Sequence, residues 1–473
     1  MSRASEEKAA LLESYRDDVE WNNRAKDSDV PVDKPLTPWE AEELRYQQGR
    51  LRRRKIHAFL CLILTIYWSV APYCRQAKYN KCMESLGEHD HHQLPVVPGV
   101  VLDQCADWKN ENESGEVTVS SAFDLDAENP LFFVSRGSFA HGSVKVVQSE
   151  DDDAGVKTTV TIDMGVDEAS RPWRGHFLDI IRVCRISKDD GSGAMGVGIF
   201  TPQWEQEHQH HHYHNVDFQV TVELPKSEGP LTIGSLETDM PIFSHSLETR
   251  EGAVAYQNLH LKTAIAHVEA VDATAENLTV FTADASIDGN FTTSKSISLR
   301  TTNAHINVAL ELSSSNSTNA TSAILETSNG AITARNTLTA TNWSERNTGN
   351  FSVVASTANA RIGLSFPFAP VNSTLTLDAF TALGSIDAAL HPTYEGNFFL
   401  AAQVSKAEVI ARRDEVDPED KDRKRSAETR QTRGEVLGET WWGNYGGEQE
   451  HWGNVTLKSA LGPVALRFGS TDA

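Results

Sequence analysis

Leu325-Glu-Thr-Ser-Asn-Gly-Ala-Ile332 is the stretch whose reading decides the fold. Apolar and polar residues alternate up to Thr327, a small-residue corner follows at Asn329-Gly330, and alternation resumes at Ile332. The pattern Thr-x-x-Gly/Ala-x-Ile/Val starts at Thr249, Thr263, Thr282, Thr301, Thr327, Thr357 and Thr381, and returns as Ser459-Ala-Leu-Gly-Pro-Val464. Successive copies up to Thr381 are 14, 19, 19, 26, 30 and 24 residues apart. A period of two means strands, and the small corner residue allows either positive φ or close backbone approach. Such a unit cannot bury its apolar face alone. Stacked units share one core, so the sequence predicts a solenoid whose uneven gaps are outward loops and whose threonines hydrogen-bond from rung to rung. The competing arrangement is an antiparallel meander, since Ser328-Asn329-Gly330 is also a hairpin signal.

Upstream the period is also two. VTVSS, LFFVS, SVKVVQ, KTTVTIDM, IIRVCRI and VDFQVTVELP, from Val117 to Pro225, are separated by Gly, Asp and Ser clusters, with no convincing amphipathic helix between them. A βαβ fold is thereby disfavoured. Downstream, Arg412–Glu435 is almost free of apolar residues and reads as a charged, solvated and disordered insertion. Its basic pairs Arg412-Arg413 and Lys424-Arg425 are exposed charge or processing sites.

At its corners the chain resembles the putative adhesin family, a domain of unknown function built from Leu-x-Thr-x-Asn-Gly-x-Ile rungs. Leu325–Ile332, Leu299–Ile306 and Leu247–Val254 carry the likeness, which spans about Val216 to Phe468 and is nearest to fungal single-span members. It implies a β-solenoid and, by the family's name, adhesion or surface display. Asn-Gly is intact at one corner only; others read Glu-Gly, Asp-Ala, Asn-Ala or Leu-Gly.

Ile56–Tyr73 has no formal charge in eighteen residues and follows Arg50, Arg52, Arg53, Arg54 and Lys55. As a helix it measures about 27 Å, near the lower limit for crossing a bilayer, and the flanking charge puts the N-terminus in the cytosol. Residues 1–55 hold 12 basic and 12 acidic side chains, so the net charge of −23 lies wholly beyond this segment. Nucleic acid is therefore a poor partner. Cys74, Cys82, Cys105 and Cys184 follow the span as disulfide candidates, with three possible connectivities. Nine sequons follow it as well: Asn112, Asn277, Asn290, Asn316, Asn319, Asn342, Asn350, Asn372 and Asn454.

Taken together, the expected organisation is a mainly β chain behind an N-terminal transmembrane helix. Its parts are a cytosolic tail (1–55), the span (56–73), a stalk (74–115), a β-strand domain (116–225), solenoid repeats (226–411), the charged insertion (412–435) and final rungs with a cap (436–473). Glu7–Leu12 resembles an acidic dileucine signal, which with the short span favours vacuole, endosome or Golgi over the plasma membrane.

Candidate chemistry is sparse. His208, His210, His212 and His214 lie in a run of imidazoles whose neutral nitrogens suit Zn²⁺ or Cu²⁺, although a solvated loop fits the run better. Trp441, Trp442, Tyr445 and Trp452 form a glycine-rich aromatic stretch, read as a cap over the solenoid's open end or as a platform for sugar rings. Asp124, Asp126, Asp151–Asp153 and Asp189-Asp190 fall outside the repeat and make no catalytic set. No cofactor is expected. The function expected is a type II membrane glycoprotein whose solenoid is a non-catalytic interaction or structural module for a protein or glycan; the alternative is a membrane-anchored glycan-processing enzyme.

Overall fold

The computed structural model describes residues 94–108, 118–149, 155–164, 177–203, 216–315, 319–341, 349–411, 415–444 and 452–469. In chain order the strands are β1 (Val100–Cys105), β2 (Thr118–Leu125), β3 (Leu131–Arg136), β4 (Gly142–Gln148), β5 (Val156–Asp163), β6 (Arg182–Lys188), β7 (Met195–Phe200) and β8 (Asp217–Leu224). The repeat region contributes β9 (Leu231–Asp239), β10 (Phe243–Glu248), β11 (Val254–Lys262), β12 (Val268–Phe281), β13 (Ile287–Arg300), β14 (Ile306–Ser314), β15 (Thr321–Glu326), β16 (Ile332–Ala340), β17 (Asn350–Thr357) and β18 (Ile362–Phe368). The last group is β19 (Thr374–Thr381), β20 (Ile386–Leu390), β21 (Gly396–Ala402), β22 (Ala407–Ala411), β23 (Arg425–Thr432), β24 (Glu435–Trp442), β25 (Gly453–Ser459) and β26 (Val464–Phe468).

Each rung is a strand before the corner and a strand after it, and like strands of neighbouring rungs pair in parallel. The first face runs β9, β11, β12, β13, β15, β17, β19. The second runs β10, β12, β13, β14, β16, β18, β20. β12 and β13, 14 residues each, bend through both faces and join them into one continuous sheet. This is the solenoid, not the meander. Between the faces, Ile287, Ile306, Ile332, Ile362, Ile386 and Val464 stack in register at no more than 1% exposure. Burying each such side chain contributes about 1.5–3 kcal/mol, so the repeated Ile/Val position is the core's spine.

The corner works by close approach, not positive φ. Gly330 has an ordinary φ, but a Cβ there would lie 1.7 Å from the Ala304 carbonyl oxygen of the preceding rung; Gly384 meets the Ala360 carbonyl oxygen in the same way. The expected rung-to-rung bonds run from hydroxyl to backbone. Thr327 Oγ1 donates to the Ala304 carbonyl (3.1 Å) and accepts from the Gly330 N–H (3.1 Å). Thr357 donates to the Gly330 carbonyl, Thr381 to that of Ala360, and Ser459 to that of Gly384. The copy at Thr249 belongs elsewhere: it leads from β10 on the second face to β11 on the first, where Gly252 does adopt φ 67°. Its 14-residue offset from Thr263 is therefore the distance between two corners of one coil.

The order of rungs departs from the order of sequence at both ends. β7 and β8 lie outside β3 and β4, which pair with β9 and β10. Antiparallel β6 and β1 close the first face there, and β5 and β2 the second. Strands within the expected 116–225 domain thus continue the same two faces. At the other end, β25 and β26 insert between the β19/β20 rung and the β21/β22 rung. The last copy of the motif is next to last in space.

Two expectations are corrected. Among the described residues no helix is long and apolar enough to cross a membrane, so the transmembrane helix, and the single-pass endomembrane placement built on it, are withdrawn. Ile56–Tyr73 and Glu7–Leu12 lie outside the described residues; an eighteen-residue segment diluted by His57, Thr65 and Ser69 sits at the margin of the length rule. The second correction is the charged insertion, which is ordered in part. Arg425–Thr432 is β23, paired with β24. Before it, the Asp417 carboxylate accepts from the N–H groups of Glu419, Lys421 and Arg423 and from the Arg423 guanidinium, which together fold residues 417–423 around one acceptor. The same contacts, Arg423 foremost, hold that carboxyl far below the usual range.

Candidate interaction face and terminal groove

Five residues before each first-face corner stands a short neutral polar side chain: Asn258, Asn277, Ser296, Ser322, Ser352, Thr376 and Asn454. Strand alternation turns these outward, and parallel pairing brings each against the next. Asn397 of β21 extends the row beyond Asn454. Part of it is a hydrogen-bonded ladder, in which Asn277 Nδ2 donates to Asn258 Oδ1 (3.2 Å) and Ser296 Oγ donates to Asn277 Oδ1 (3.0 Å). A second ladder lies along the corner itself, where Asn359 donates to Asn329, Asn329 to Asn303 (2.6 Å) and Asn303 to Asp284. The same corner position then turns apolar, with Leu383 and Leu461 about half exposed. The spacing to the corner threonine is the signal for the first ladder, and the Asn of the Asn-Gly and Asn-Ala corners for the second; neither ladder is among the expectations above.

The row ends in a groove of about 480 Å³ on the outer side of β25, β21, β24 and β23. Asn454 and Asn397 face each other at one end, and Glu439 and Glu428 continue that line across the hairpin. The next line holds Phe399, Leu437 and Arg430. Phe399 has Lys458 Nζ 5.3 Å from its ring, and the same ammonium lies 5.6 Å from Phe380.

Beneath the hairpin lies the cap. Arg425, counted from sequence as exposed charge, is buried: it bonds Glu415 (2.9 Å), Thr440 Oγ1 and the carbonyls of Pro392 and Tyr394, and lies 4.7 Å from the Phe468 ring. Burial pushes its guanidinium down, against the pull of Glu415. Trp441 and Trp442 are buried here, so neither ring is offered to solvent. At the far end Cys105 and Cys184 form a disulfide between β1 and β6. Cys74 and Cys82 lie outside the described residues, as do His208, His210, His212, His214, Asp151–Asp153, Tyr445, Asn112, Asn316 and Asn342. Among the described residues no group of three or more His, Cys, Asp or Glu side chains could hold a metal.

No family model matches the chain, and no curated protein matches it. Among solved structures, a "putative cell adhesion protein" from Clostridium sporogenes is similar at 10% identity, over 74% of this chain and 99% of its own, with a TM-score of 0.17. A "putative adhesin" from Bacteroides fragilis is similar at 9% identity, over 74% and 96%, with a TM-score of 0.26. Neither supports the expected tie to fungal single-span members. Overlaps this low leave function to this chain's own residues.

Proposed function

We propose that the chain is a non-catalytic, adhesin-like interaction module that engages a protein or glycan through the outer side of its first face. The observation that supports this is the row from Asn258 to Thr376, uncharged hydroxyl and amide groups in register across six strands. Short side chains lose little rotamer entropy on binding, and the stacked backbone fixes their spacing before any partner arrives. Charges stand on the corner side of the row: Lys262 follows Asn258, and Arg300 and Glu326 pair at 3.2 Å beyond Ser296 and Ser322. The row is thus a neutral strip beside a charged margin.

The test is binding of the full chain to glycan and protein arrays, compared with the double variant Ser296→Arg, Ser352→Arg. Both sites point outward, so the strip is filled with charge at the cost of one ladder bond, from Ser296 to Asn277. Loss of binding in this variant, with retention in the second-face variant Thr333→Arg, is the expected result. Equal binding by all three proteins refutes the assignment, and release of a cleaved product from an arrayed glycan would favour an enzyme instead.

A further inference from the structure

The groove at the capped end carries a second and independent reading, one that does not rest on the interaction strip. Asn454-Val455-Thr456 is a sequon lying on the groove's own lining. Asn454 is exposed, and its Nδ2 lies 3.5 Å from the Thr456 hydroxyl, the group a sequon requires beside its amide. In register beside Thr456 stands Phe399, whose ring is an apolar wall of the same groove. We infer that Asn454 is an N-glycosylation site whose first N-acetylhexosamine seats in this groove against Phe399.

Three observations separate Asn454 from the other described sequons. Asn277 has both ends of its amide committed to the ladder with Asn258 and Ser296, and Asn290 Nδ2 donates to the Val271 carbonyl at 2.8 Å, so each of these amides already ties two rungs together, whereas that of Asn454 bonds within its own strand. Asn372 lines a cavity of about 40 Å³ beside Trp442, with room for a few waters and none for a sugar ring. Asn319 and Asn350 do not line the groove. The groove's composition matches a pyranose. Its apolar C–H face has Phe399 and Leu437 to pack on, while its hydroxyls have the polar residues Asn397, Glu428 and Arg430 in the same lining. The Cys105–Cys184 bond is independent support, because disulfides persist in the compartments where N-linked glycans are attached.

The chemistry is supplied by a host transferase, and this chain supplies the acceptor. Asn454 Nδ2 attacks the anomeric carbon of a lipid-pyrophosphate-linked oligosaccharide. The C–N bond forms as the C–O bond to pyrophosphate breaks, the lipid pyrophosphate departs, and the amide gives one proton to the transferase's base. No electrons change hands.

The experiment uses the full chain made in a eukaryotic cell. Enzymatic glycan removal in heavy-oxygen water followed by peptide mass spectrometry reads occupancy at each sequon, with Asn454 expected to be occupied and Asn277 empty. Trimming with an endoglycosidase that leaves one sugar then permits a cycle, in which Phe399→Leu is measured by thermal unfolding with that sugar and in a Thr456→Val background that lacks it. The sugar-bearing protein is expected to lose more. Should Phe399→Leu fold poorly, Leu437→Ser on the exposed wall replaces it in the same cycle. An unmodified Asn454 overturns the inference, and so does an equal loss with and without the sugar.

Discussion

Gly330→Ala adds one methyl group and tests the corner directly. The new carbon falls 1.7 Å from the Ala304 carbonyl oxygen, about half a normal contact distance, so one of two rungs must move. Overpacking of this kind costs about 1–3 kcal/mol. The shift also strains two bonds anchored on this corner, from Thr327 to the Ala304 carbonyl and from Thr357 to the Gly330 carbonyl, each worth about 1 kcal/mol. The expected loss is therefore about 3–5 kcal/mol. Two other glycines separate the causes. Gly252 has φ 67° but nothing within 4 Å, so its Ala variant should lose only about 1–2 kcal/mol of backbone strain. Gly234 has neither feature, and Gly234→Ala should stay within about 0.5 kcal/mol of the parent. Urea unfolding of the three variants at equal slope gives the differences. If Gly330→Ala unfolds at the same denaturant concentration as Gly234→Ala, the corner does not depend on close approach, and the stacking argument fails with it.

Two further outcomes follow from buried charge chemistry. His245 is fully buried in β10, and burial, against a backbone contact with Phe243 and with a smaller push from His267, takes it from 6.5 down to about 4. Its neutral form therefore contributes stability that is complete above about pH 6.5 and is lost as pH falls towards 4, to a limit of about 3 kcal/mol. Unfolding at pH 7 and pH 4.5 should show a loss that is smaller by most of that amount in His245→Leu, and equal losses in the two proteins would refute it. Arg425→Met leaves the Glu415 carboxylate buried without its cation and should cost about 3–5 kcal/mol. Adding Glu415→Leu should recover most of that loss in the same unfolding assay, and a double variant no better than the single one would mean that the pair is not what holds the cap.

The sequence by itself determined what depends on neighbours in the chain. Alternation about Thr-x-x-Gly/Ala-x-Ile/Val set the strands, the inward Ile/Val spine and the outward row five residues before each corner, because strand geometry assigns faces by counting twos. It also required a small corner residue, while leaving open whether φ or contact demanded it. Contact did, and contact with Ala304 exists only once one rung lies on another. Tertiary structure decided the order of rungs. Every rung edge offers the same ladder of N–H and C=O groups, so nothing in Ser459–Val464 marks it for insertion between β20 and β22. Burial of Arg425 was hidden for the same reason: a charge-rich segment reads as solvated until Glu415, Thr440 and the carbonyls of Pro392 and Tyr394 converge on its guanidinium from distant parts of the chain. The groove, too, exists only where the β23–β24 hairpin comes to lie beside β21, and the pairing of β21 with β25 sets Phe399 next to a sequon more than fifty residues further along the chain.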